Sequence, residues 1–122
     1  MKTQLTLTVE QLIAADSALV RLQETALPAP VAFKIGRIIR EARRERVTAE
    51  ETRQALALKY GQAEDDGSVT IPQERIAEFV EELRPFLQTE VTLAAAPICL
   101  ADLGDAPVTP GEIDALAWML TD

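Results

Sequence analysis

The chain has 122 residues, 48% hydrophobic but only 4% aromatic, with one cysteine, no histidine and a net charge of -8. That is about one domain, long enough to take roughly two-thirds of its unfolded surface out of water, and too apolar to be disordered. These figures argue against a general binder of nucleic acid or anionic membrane, and they exclude an intrachain disulfide, a Cys-His or Ser-His nucleophile pair and a structural zinc site.

At the N-terminus, Thr3, Leu5 and Leu7 alternate with Gln4, Thr6 and Thr8. Threonine and leucine at period two predict a short strand. Thr8-Val9-Glu10-Gln11 then matches a capping box, in which the hydroxyl and the Gln side chain satisfy free N–H groups. The helix that follows spaces Leu12, Ala15, Leu19, Leu22 and Ala26 at steps of three and four. Pro28 and Pro30 end it at a tight corner, so the next helix returns antiparallel.

That next helix, from Val31 to Tyr60, is the element around which the chain is arranged. At 100° per residue, Val31, Ile35, Ile38, Ile39, Ala42, Ala49, Leu56 and Tyr60 fall in one arc roughly 100° wide. Arg37, Arg40, Arg44 and Glu51 lie opposite. A helix of this length spans roughly 45 Å and buries its stripe only where other elements pack along it. Thr48 to Glu51 is a second capping-box pattern that would divide it in two, but the apolar arc keeps its phase across that point and favours one helix. Gly61 is placed as an αL C-cap.

Gln62–Ser68 is a polar turn and Val69–Ile71 a short extended piece. Within the turn, Glu64-Asp65-Asp66-Gly67 invites a calcium reading, which fails. Setting Gly67 on the loop glycine puts Gln62 and Gln73 where Asp and Glu are required. Pro72 opens a third helix with the stripe Ile76, Phe79, Val80, Leu83 and Leu87, and with Ile38 we expect Leu83 to be fully buried. Pro85 removes its own bond to Glu81, which predicts a kink or restart. Glu78, Glu81 and Glu82 form the wet face of this helix and are not read as a catalytic pair. Glu90–Leu93 alternates and is expected to pair with another extended piece.

Ala94–Pro107 reads as an apolar, irregular segment draped over the helices, with Cys99 as a small buried hydrophobe. Thr109-Pro110-Gly111-Glu112 is a strong helix start. The helix it opens carries Ile113, Leu116, Ala117 and Leu120, with Trp118 beside the stripe. There is no signal region, no run long enough to span a membrane, and no internal repeat. We expect a soluble, intracellular protein without cofactor or metal.

Charge is the one feature above background. Six of the 12 Lys and Arg residues lie between positions 34 and 46. Arg37, Arg40 and Arg44 share a face, either as a contact for phosphate or an acidic protein or as a solvated face tied to Glu41 and Glu45. The negative surroundings favour the solvated face. Arg46 and Arg53 fall inside the apolar arc, where a lone guanidinium is costly. They reach water past the neighbouring helices, pair with Glu78, Glu82 or Asp114, or lie at an interface with a second copy or another protein; the length of the helix favours the interface.

The order of these pieces carries a resemblance. A strand and a helix ending in Leu27-Pro28 precede a long helix opening with Ala32-Phe33-Lys34-Ile35 and closing with Leu58-Lys59-Tyr60-Gly61. Then come the acidic glycine turn, Ile71-Pro72, Glu78-Phe79-Val80-Glu81-Glu82-Leu83, Glu90-Val91, Ile98-Cys99-Leu100-Ala101-Asp102-Leu103 and Thr109-Pro110-Gly111-Glu112-Ile113. Over most of its length the chain resembles a group of small proteins of unknown function encoded by tailed bacteriophages and prophages. The resemblance implies an accessory or structural phage protein in the bacterial host cytoplasm or the virion, and no catalytic residues.

The expected fold is mainly α: one domain over residues 1–122, a four-helix bundle-like arrangement around one long central helix, with a minor sheet of short strands. The expected function is a non-enzymatic phage interaction protein, virion-associated or an assembly accessory, with a protein partner and a possible homo-oligomer. A regulator that blocks a host macromolecule is the alternative, and an enzyme the third.

Overall fold

The computed structural model describes residues 4–121, so Thr3 lies outside the described residues. In chain order the elements are β1 (Leu5–Thr8), α1 (Val9–Ala14), α2 (Asp16–Glu24), α3 (Ala29–Tyr60), β2 (Gln62–Ala63), β3 (Val69–Thr70), α4 (Gln73–Leu87), β4 (Glu90–Leu93), β5 (Ile98–Cys99), α5 (Pro110–Ala115) and β6 (Leu120–Thr121). Single 3₁₀ turns occupy Leu100–Leu103 and Ala117–Met119. The fold is mainly helical, with one long helix and short strands in pairs. Among the described residues five α-helices stand where four were expected.

The local signals act as the sequence predicts. Thr8 caps α1: its hydroxyl accepts from the Gln11 N–H at 3.2 Å, and the Gln11 side chain accepts from the Thr8 N–H at 2.8 Å. Thr109 and Glu112 do the same for α5. β1 pairs antiparallel with β4, setting Leu5 opposite Leu93 and Leu7 opposite Val91. α3 is a single helix through Thr48, and Pro30 lies within its first turn, where no N–H is needed. The helix after β1 is divided at the fully buried Ala15, and it ends at Glu24, which leaves Ala26 exposed.

The core gathers Leu5 and Leu7 of β1, Leu12 of α1, Leu19 and Leu22 of α2, Leu93, Ile98, Leu103, Leu116 and Met119 around Ile35, Ile38, Ile39 and Ala42. On α3 this cluster stops at Ala42. From there α3 runs on for about 27 Å, and α4 returns along it, with Phe79 against Tyr60 and Phe86 near Ala49 and Thr52. The result is a head built on the first half of α3 and an arm built on the second.

The arm corrects the expected full burial of Leu83. No residue of α4 is buried, Leu83 is half-buried, and Ile76 and Val80 are 44% and 42% exposed. One helix packed chiefly on one neighbour buries a seam; the flanks of a wide apolar stripe need a further layer. Pro85 neither restarts nor ends α4, which continues to Leu87. It sits in the last turn, where Gln88 N–H reaches Arg84 O and the Thr89 hydroxyl donates to Pro85 O.

Gly61 is also corrected: its backbone is extended (φ -139°, ψ -164°), not left-handed. It is needed because a Cβ there would stand 2.3 Å from the Thr70 carbonyl oxygen. The segment after β4 is more ordered than expected, since β5 pairs in parallel with β6. Cys99 is half-buried. The last helix gives way to a 3₁₀ turn after Ala115, which leaves Ala117 exposed and carries Met119 into the core. Among the described residues no helix is long and apolar enough to cross a membrane.

Gly36 has nothing within 4 Å of where a Cβ would lie. Gly36→Ala should therefore stabilise the protein by about 0.5–1 kcal/mol through helix propensity. A raised urea midpoint at unchanged m-value is the expected readout.

Candidate functional site

Two surfaces of opposite character lie at the two ends of α3. The first is basic. Arg37, Arg40 and Arg44 are all exposed, and Glu41 reaches only Arg44, at 3.8 Å. Beside them, where the end of α2 passes the start of α3, is an open groove of about 410 Å³. Leu22, Leu27, Ile35 and Ile39 line it with Arg40 and Arg43, and Gly36 leaves it unfilled. Arg43 is held by a hydrogen bond to Gln23 Oε1. The groove thus has an apolar floor and a polar wall of Gln23, Thr25, Arg40 and Arg43.

Arg46 and Arg53, expected inside the apolar arc, are both ion-paired within the chain. Arg46 meets Asp16 at the start of α2 at 3.0 Å, and Arg53 grips Glu50 one turn back through Nε and Nη2. Glu78, Glu82 and Asp114 are not their partners. The Asp16 contact is tertiary and had no signal in the sequence, whereas the Glu50–Arg53 spacing of three was readable. Each pair is at least one-third exposed on one side, so each adds little to stability.

The second surface is the arm. At its far end Arg75 stacks 4.8 Å above the Tyr60 ring, Phe79 meets the same ring edge-on, and Lys59 donates to Glu82 at 2.7 Å. These contacts fasten α4 to α3. Glu78 and Glu81 stay on the wet side, in loose pairs with Arg75 and Arg84. In the β2–β3 turn Asp66 folds back onto Ser68, accepting from its N–H and its hydroxyl, and Gly67 takes φ +88° to close it. Among the described residues no three His, Cys, Asp or Glu side chains gather as a metal site.

Four carboxylates are held below their ordinary range by hydrogen bonds, one of them Asp66 through the Ser68 hydroxyl. The Arg53 hydrogen bond lowers Glu50, the Lys59 hydrogen bond lowers Glu82, and the Thr109 N–H lowers Glu112. A lowered folded-state value stabilises the fold above the unfolded value and is lost as pH falls through the folded one. Thermal unfolding should therefore be flat near neutrality and fall once pH drops below about 4.5. Glu112→Gln keeps the capping acceptor without the charge, so it should make that fall shallower.

Compared with known proteins, the chain matches no family model, no curated protein and no solved structure.

Proposed function

We propose that this chain is a non-enzymatic interaction protein of a tailed bacteriophage or prophage, either part of the virion or an accessory to its assembly in the host cytoplasm. The observation that carries the interaction reading is α4, which leaves Ile76 and Val80 in water on a helix with no buried residue. A helix stripe that its own chain does not cover is a surface for another chain. The phage origin is supported by the resemblance in the order of strand, corner, long helix and acidic glycine turn.

A protein partner fits better than nucleic acid or an anionic membrane. The net charge of -8 repels both, and only six of the 12 basic residues gather at positions 34–46. The test is mass spectrometry of purified virions together with pull-down of the tagged chain from induced or infected cells. Recovery in virions, or with head or tail proteins, supports the reading. Capture of a host enzyme alone transfers the chain to the regulator class, and capture that depends on nucleic acid overturns the proposal.

A further inference from the structure

We infer that the partner for the arm is a second copy of this chain: the exposed edge of α4 docks, head to tail, into the basic groove between α2 and α3 of the next molecule. This rests on the interaction reading above and names its first partner.

Two observations meet in it. The edge of α4 presents Ile76 and Val80 one helical turn apart, flanked by Glu74, Glu78 and Glu81. The groove offers the complement: part-exposed Leu27 and exposed Ala32 above a floor of buried Leu22, Ile35 and Ile39, Arg40 and Arg43 alongside, and free space over Gly36. Charge separates this arrangement from the other self-contacts. Residues 62–87 hold seven acidic side chains against two arginines, whereas residues 34–46 hold six basic against two acidic. An arm on an arm brings like charge together, and a groove on a groove does the same. An arm on a groove pairs opposite charge around an apolar centre, which fixes register as well as strengthening contact.

The two surfaces cannot meet within one molecule. From Ile39 at the groove to Tyr60 at the arm's end is about 30 Å along one rigid helix. Each copy therefore offers one donor and one acceptor surface. Such a contact is heterologous, and it closes into a ring or runs on as a filament.

The test is sedimentation velocity over a wide range of concentration at low and high salt. Wild type should associate beyond a dimer, and less so as salt rises. Gly36→Leu fills the groove from a helical position with open space, and Val80→Lys spoils the arm at an exposed position. Each should be monomeric and should melt close to wild type. The mixture of the two should give a one-to-one complex that grows no further, since each variant retains one intact surface. A wild type that stays monomeric at high concentration overturns the inference, and if virion proteins still capture it, the interaction reading survives. A Gly36→Leu protein that associates as wild type does also overturns it, because the groove is then not part of the contact.

Discussion

Replacing Ile38 by Ala should cost about 2–5 kcal/mol, while Leu83→Ala should cost about 1 kcal/mol or less. The two leucine-sized side chains look alike in the sequence, each at the centre of a helical stripe. Ile38 is wholly inaccessible, midway along the part of α3 on which β1, β4, α1 and α2 converge. Removing its methyl groups leaves a cavity that strands and helices on several sides cannot all collapse to fill. Leu83 is half-buried on a helix packed chiefly against α3, so water already wets one flank and can occupy the space left behind. Urea unfolding of both variants decides the point. Equal shifts of the two midpoints at unchanged m-value would mean that the arm shares the core and that head and arm are one packed body.

The contrast shows where the sequence is legible. Signals whose cause is local came through: two capping boxes, the alternation that sets Leu5 and Leu7 toward the core, and the unbroken phase that makes residues 31–60 part of one helix. A hydrophobic period states which face of a helix is apolar. It does not state whether another layer exists to cover that face, and for α4 none does. The same gap explains Met119, whose burial depends on a 3₁₀ turn that changes the angular step after Ala115. The candidate site was legible by half. Arg37, Arg40 and Arg44 lie on the exposed face read for them, but the groove beside them is made with Leu22 of α2 and Leu27 of the connection to α3. Arg46 and Arg53 are part-exposed and not enclosed in the arc, and the partner of Arg46 has no signal in the sequence because Asp16 reaches it only once α2 has turned back along α3.

Gly61→Ala should destabilise the arm by about 1–3 kcal/mol, the range in which overpacking a tight contact falls. The backbone at Gly61 is extended, which any residue adopts, so the cost is steric and not conformational. α3 closes with the Gly61 N–H on Ala57 O at 2.9 Å, and the chain then enters β2, whose Gln62 pairs with Thr70. A methyl group at residue 61 meets the Thr70 carbonyl oxygen at 2.3 Å and Ile71 Cγ1 at 3.0 Å. The oxygen belongs to the backbone and cannot rotate away, so β3 has to move by roughly 1 Å to reach contact distance. β3 leads through Pro72 directly into α4, and that shift works against the stacking of Arg75 on Tyr60. The damage should stay in the arm. Amides from β2 through the first turns of α4 should lose hydrogen-exchange protection, while those of β1 and β4 in the head keep theirs. Gly36→Ala, the same chemical change twenty-five residues earlier and inside α3, should act in the opposite direction because its methyl group meets nothing. An alanine at residue 61 that leaves both the midpoint and the arm's exchange at wild-type values would mean that β3 does not close onto the end of α3 in solution.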